Sequence, residues 1–128
     1  MVTIDDIRQV AHSLPRTTEN VVRDHVKFRV GRIVYASVSP DETRMGFGYP
    51  KHERSALIAS DPVKFQLPIK SDERYHWAIV LLDRIERPEL AELLLEAWCI
   101  VVSAKAGRDY LAQLPANWTE VVYQLPND

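Results

Sequence analysis

The sequence is poor in the residues that usually mark a catalytic site or a disulfide scaffold. It has one cysteine, Cys99, and four glycines among 128 residues. A single cysteine excludes an internal disulfide, and its position on an apolar helix face favours a buried, unreactive thiol. The glycines form no phosphate-binding loop, and no serine lies in the setting of a nucleophile elbow. We therefore expect a protein that is not an enzyme.

Metal ligands are also too scattered to predict a site. The four histidines are dispersed along the chain: His12, His25, His52 and His76. One cysteine cannot complete a ligand set with them at any usual spacing. Glu89, Glu92 and Glu96 form a carboxylate row, for which the solvated face of a helix is the simplest explanation. We expect neither a bound metal nor a cofactor.

Long apolar runs are absent as well. No stretch of 18 apolar residues occurs, and the first six residues lack the basic and apolar regions of a signal peptide. We therefore expect no membrane segment and a cytoplasmic location. With 46% hydrophobic and 27% charged residues, the composition is typical of a globular domain.

The charge is small in total but unevenly distributed. A net charge of −2 argues against a strongly electrostatic nucleic-acid binder, since such domains are usually basic. Residues 23–70, however, hold nine basic and five acidic side chains, a net of +4. The remainder of the chain is acidic, and such polarity favours a basic face opposite an acidic one.

The most apolar part of the chain lies between residues 75 and 104. Residues 75–82 are almost continuously apolar, which predicts a strand that is covered on one face and paired on both sides. Pro88 is placed to open a long helix, whose apolar residues recur at helical spacing. Gly107 is a candidate C-cap for this unit. We predict one domain over residues 1–107 and a C-terminal extension over residues 108–128, which packs on the domain or on a partner.

The N-terminal part predicts one helix and one loop. Thr3 and Asp6 have the spacing of a capping box, and the helix that they open ends at Pro15. Residues 16–24 are polar and predict a loop.

A three-stranded meander is predicted next. Residues 26–30 alternate between apolar and basic side chains, and residues 33–38 follow a two-residue turn at Gly31-Arg32. Glycine at the first turn position is typical of a type II′ hairpin. Residues 44–49 predict the third strand, with Phe47, Tyr49 and Tyr35 in the core rather than stacked on bases.

A short helix and strand precede the central strand. Pro50 starts a helix over residues 51–59, which we expect to bury Ala56, Leu57 and Ile58. Residues 63–67 alternate like a short strand. This order of elements predicts an α+β domain, a mainly antiparallel sheet with helices packed on one face. The other face is then available to water or to a partner.

Several of these signatures, in this order, resemble the MmcQ/YjbR-like family over about residues 2–105. The matching residues are Thr3-Ile4-Asp5-Asp6-Ile7-Arg8, Leu14-Pro15, Thr18-Glu19, Phe28-Arg29-Val30, Gly31-Arg32-Ile33, Lys51-His52-Glu53-Arg54-Ser55-Ala56-Leu57, Asp61-Pro62, Trp77, Leu81, Leu90, Leu94 and Ala97-Trp98. The resemblance implies a CyaY-like α+β fold and a DNA-binding role. It supplies no functional residues, so candidates come from the charges of this chain.

Six basic residues are candidates for DNA binding: Lys27, Arg29, Arg32, Arg44, Lys51 and Arg54. Lys27 and Arg29 point away from their apolar neighbours because side chains alternate along a strand. A basic ribbon can follow phosphates, and cations near a helix start form a further phosphate site. The alternative is that these charges are the solvated face of a half-buried sheet.

The sequence is compatible with two alternative functions. The first is weak, phosphate-directed DNA binding through the basic hairpin and sheet face. The second is a protein-interaction or small-ligand-binding module with no nucleic-acid role, which includes a homodimer closed by the C-terminal extension. The three tryptophans are interpreted as core residues rather than as a stacking surface: Trp77, Trp98 and Trp118.

Overall fold

The computed structural model describes residues 1–124, which fold as one six-stranded sheet with five helices. The helices are α1 (Ile4–Ala11), α2 (Arg54–Ser60), α3 (Arg87–Val101), α4 (Ala104–Leu111) and α5 (Trp118–Val121). The strands are β1 (Thr17–Val22), β2 (His25–Val30), β3 (Ile33–Val38), β4 (Arg44–Gly48), β5 (Phe65–Gln66) and β6 (Trp77–Leu81). Their order across the sheet is β1-β2-β3-β4-β6-β5, and each neighbouring pair is antiparallel. The predicted α+β class is confirmed.

The first helix forms as the sequence predicts. The Thr3 hydroxyl accepts from the Asp6 backbone, and the Asp6 carboxylate accepts from the Thr3 backbone at 2.9 Å, which completes the capping box. Asp6 also pairs with Arg87 at 3.0 Å, so this cap connects α1 to the start of α3. None of the helices within residues 1–124 is long and apolar enough to cross a bilayer.

The predicted loop at residues 16–24 is wrong, because this segment forms β1. The strand is rich in β-branched residues: Thr17, Thr18, Val21 and Val22. It is an edge strand that pairs only with β2, so it needs little apolar alternation. Arg23 and Asp24 both have positive φ, 52° and 66°, which is the two-residue turn whose twist matches an antiparallel hairpin.

Glu19 attaches this edge strand to α1. Its carboxylate lies 3.0 Å from Arg8 Nε and 2.7 Å from His12 Nε2. Burial alone would raise the pKa of Glu19, but the hydrogen bonds to His12 and Arg8 outweigh it and hold that pKa below its usual value.

The predicted meander is confirmed in β2, β3 and β4. Gly31 has a φ of 60° whereas Arg32 keeps a negative φ, as a type II′ turn requires. The β2–β3 register shifts between Phe28 and Arg29, which is a bulge that places Tyr35 in the core. The Tyr35 hydroxyl lies 2.8 Å from the Thr17 hydroxyl, so the bulge also connects β3 to β1.

The core lies between one face of the sheet and α3. The helix buries its apolar side, which comprises Leu90, Ala91, Leu93, Leu94, Ala97 and Trp98. Trp98 Nε1 donates to the Pro15 carbonyl at 2.8 Å, so its one polar atom is satisfied inside the core.

The predicted helix to residue 104 is interrupted, and the predicted C-cap at Gly107 is wrong. Helix α3 ends at Val101, and Val102 is extended. The Ser103 hydroxyl accepts from the Ala106 backbone and caps α4. Gly107 lies inside α4, so the boundary that we expected after residue 107 falls within a helix.

The C-terminal extension packs on the domain. Trp118 and Val122 are buried in the same core as α3. The Tyr110 hydroxyl donates to the Ser13 carbonyl at 3.1 Å, and the Tyr123 hydroxyl donates to the Arg87 carbonyl. Leu125, the last apolar residue of the extension, lies outside the described residues.

The short helix begins later than predicted and buries a different side chain. It starts at Arg54, which is 8% exposed, whereas Ala56 is exposed and Leu57 and Ile58 are half-buried. The Arg54 guanidinium donates to three carbonyls in the segment leading into β6: Glu73 at 2.9 Å, Trp77 at 2.9 Å and Tyr75 at 3.3 Å. Arg54 therefore satisfies three backbone acceptors at and before the start of β6.

Replacing Trp118 tests whether the extension belongs to this core. We expect Trp118→Ala to lower the free energy of unfolding by about 3 kcal/mol, because it leaves a large cavity against α3. Leu111→Ala, at a side chain that is 45% exposed, is the control and should change it little. Urea unfolding measures both. An unchanged stability with an altered mass on size exclusion would instead make the extension an interface.

Removing the Arg54 guanidinium should destabilise the fold. We expect Arg54→Met to cost about 3 kcal/mol, because the stem still packs while three carbonyls lose their charged donor. Arg84→Met, at an exposed arginine, is the matched control. If both variants unfold at the same urea concentration, the carbonyl contacts contribute nothing net.

Candidate nucleic-acid interface

The strand registers assign each residue of the central sheet to one of two faces. Phe28, Ala36, Phe47 and Ala78 lie opposite one another across β2, β3, β4 and β6, and all are buried. His12, the C-cap of α1, packs edge-on against Phe28, with ring centroids 5.9 Å apart, so this is the helix side. We call the opposite side the outer face.

The outer face contains a polar row at the level of Lys27. Lys27 lies opposite Ser37, Ser37 opposite Gly46, and Gly46 opposite Ile79. Strand alternation extends the face to a larger set: Thr18, Asn20, Val22, His25, Lys27, Arg29, Val34, Ser37, Arg44, Gly46, Gln66, Trp77, Ile79 and Leu81. Three of these residues are cationic and none carries a carboxylate.

The outer-face cations differ from the others in their partners. Elsewhere Arg8 pairs with Glu19 at 3.0 Å, and Lys64 pairs with Glu89 at 2.7 Å. Within residues 1–124, the outer-face cations Lys27, Arg29 and Arg44 make no ion pair, and the buried Nε of Arg29 has no hydrogen-bond partner. Because no carboxylate pairs with Lys27 or Arg29, the positive potential of these two groups is available to an anion.

Carboxylates lie in the turns at the margin of this surface: Asp24 between β1 and β2, and Asp41 and Glu42 between β3 and β4. Asp41, in the turn between β3 and β4, accepts from the hydroxyls of Ser39 and Thr43 at 2.7 Å. These hydrogen bonds lower the pKa of Asp41, and the charge of Arg44 adds to the effect. Asp41 therefore offsets part of the Arg44 charge, which makes the region of Lys27 and Arg29 the more positive one.

The six predicted cations do not form one cluster. Arg32 is exposed in the turn that follows β2, next to the Lys27 and Arg29 row. Arg44 is two strands and two residues from Lys27, a Cα separation of about 12 Å at usual strand spacings. Lys51 lies before α2, and its Nζ donates to the Arg74 carbonyl at 3.2 Å.

Arg54 does not fit a phosphate site. Arg54 is buried and uses three of its five N–H donors on backbone carbonyls, so it lacks the exposure that phosphate binding needs. The interface proposed below therefore omits Arg54 and leaves Lys51 outside it.

The prediction that all three tryptophans are core residues is wrong for Trp77. Trp98 and Trp118 are core residues, 1% and 6% exposed, but Trp77 is half-buried on the outer face. The Nε1 edge of its indole covers Gly46, where a Cβ atom would lie 2.5 Å from Nε1. Because side chains alternate along a strand, the buried Ala78 implies that Trp77 points to the other face. The sequence alone does not show this, because residues 75–82 are almost all apolar and do not reveal which face the helices cover.

The other aromatic residues and the carboxylates lie as follows. Tyr35 and Phe47 are fully buried, so they belong to the core as predicted. Glu89 of the predicted carboxylate row is paired with Lys64. In the described part of the chain, no three histidine, cysteine, aspartate or glutamate side chains are placed to hold a metal ion.

Comparison with known proteins identifies the family. The YjbR family model matches residues 12–100. The crystal structure of Deinococcus radiodurans protein DR2400, with a DUF419 domain, is 26% identical; the match covers 88% of this chain and 89% of that chain, with a TM-score of 0.72. No curated protein matches. The family match confirms the resemblance predicted from the sequence, and the chain belongs to the YjbR family.

Proposed function

We propose that the protein binds nucleic acid through the outer face of its sheet. Lys27, Arg29 and Arg32 contact phosphates, and Arg44 extends the contact across the sheet. The observation that supports this most is the combination of unpaired cations with a strand surface that carries no carboxylate. A solvated face with no ligand has no need to keep its carboxylates to the other side.

In this proposal the protein acts by binding and is not an enzyme. Its outer face offers ammonium and guanidinium donors, a hydroxyl and an indole, which position a polyanion rather than transfer its protons or phosphates. Phosphate contacts carry no sequence information, so this part of the interaction is independent of base sequence.

The affinity should be weak and strongly dependent on salt. With three phosphate contacts on duplex DNA, the binding constant should fall about 40-fold between about 50 and 200 mM salt, because each contact releases condensed counterions. A fourth contact from Arg44 would make this dependence steeper.

Charge reversal on β2 tests the proposed surface. We expect Lys27→Glu with Arg29→Glu to weaken binding of a labelled random duplex at least tenfold at low salt, because two attractive contacts become repulsive. Fluorescence anisotropy measures the affinity. Lys105→Glu with Arg108→Glu is the matched control: it changes the net charge equally, on α4, which packs against α3.

Two results would contradict the proposed interface. If both double variants lose affinity equally, the binding follows net charge and the outer face is not its site. If the wild-type protein binds no nucleic acid at low salt, the proposal fails, and the protein-interaction or small-ligand module is the better explanation.

A further inference from the structure

We infer that the outer face prefers unpaired nucleic acid strands to duplex, and that the indole of Trp77 is the surface on which a base stacks. This inference deepens the proposed function and rests on it. It assigns Trp77 the contact that distinguishes a single strand, whereas Lys27 and Arg29 supply phosphate contacts that both ligands share.

Trp77 is the one tryptophan, tyrosine or phenylalanine that the strand registers place on the outer face within residues 1–124, and His25 is the other ring there. Trp77 is half-buried there, whereas the strand aromatics Phe28, Tyr35, Phe47 and Phe65 are buried in the core. An aromatic ring that is kept out of the core, on the same surface as unpaired cations, is the arrangement that single-strand binders use.

Gly46 determines how the indole lies on the sheet. A Cβ at residue 46 would meet the indole at Nε1, Cε2 and Cζ2, at 2.5, 2.7 and 2.7 Å. The indole therefore meets the strand through its Nε1, Cε2 and Cζ2 atoms, which lie along one edge of the ring. Any side chain larger than hydrogen at residue 46 would displace the indole.

The residues between Trp77 and the cations are small. Lys27 lies across Ser37 from Gly46, so its Cα is two strand spacings, about 10 Å, from the strand beneath the indole. Ser37 and Gly46 have small side chains, so neither residue places a bulky group between the Lys27 ammonium group and the Trp77 indole. A nucleotide whose base lies on the indole can thus place its phosphate within reach of Lys27.

This geometry favours single strands for a simple reason. In a duplex the faces of the bases are already stacked on their neighbours, so only phosphates and groove edges reach a sheet surface. In a single strand the base faces are available, and each base that stacks on an aromatic side chain tightens binding by about tenfold. The half-buried Ile79 and Leu81 continue the apolar surface beside Trp77.

Three variants separate stacking from other effects. We compare a labelled oligothymidylate of about 12 nucleotides with a labelled random duplex of the same length, near 50 mM salt. The wild-type protein should bind the single strand about tenfold more tightly than the duplex. Trp77→Leu should remove that preference and leave duplex affinity unchanged, whereas Trp77→Phe should retain most of it. Ile100→Ala, which removes exposed apolar area from α3 on the opposite side of the sheet, should change neither.

Each other outcome has a distinct meaning. The inference is overturned if Trp77→Leu leaves single-strand affinity intact, or weakens both ligands equally while the urea midpoint is unchanged. It is also overturned if the wild type binds both ligands equally through Lys27 and Arg29, in which case the phosphate interface stands alone. If the wild type binds neither ligand, the proposed function fails first.

Discussion

The antiparallel register of β2, β3, β4 and β6 is the constraint on which the rest of the structure depends. It places Phe28 and Phe47 beneath the helices, and therefore forces Lys27 and Gly46 onto the outer face. A slip of one residue would exchange these sets and bury cations in the core, at a cost far above the stability of a small domain. The same strand register therefore determines both the packing of the core and the exposure of the basic row.

This constraint explains how a slightly acidic protein can present a basic surface. Carboxylates such as Asp6, Glu19 and Glu89 are used on the helix side, where they cap α1 and pair with arginine or lysine. The outer face keeps Lys27 and Arg29 without such partners. The net charge of the chain therefore says little about the potential that a ligand meets at this surface.

Much of the architecture could be predicted from local patterns. The capping box at Thr3, the glycine turn at Gly31 and the alternation of Lys27 and Arg29 each depend on neighbours in sequence, so they were accessible. The burial of Arg54 was not, because it depends on carbonyls about twenty residues away. Strand β1 and the outward position of Trp77 were missed for the same reason: both are decided by which partner covers the sheet, and local periodicity does not specify it.

The most direct test of the outer face as the nucleic-acid interface is a map of backbone amide chemical shifts by NMR during titration with oligothymidylate. If the face binds the strand, the largest changes should appear at Lys27, Arg29, Ser37 and Gly46, with α4 unaffected. Changes confined to α4 and α5, or saturable binding that moves none of the β2–β4 amides, would contradict it.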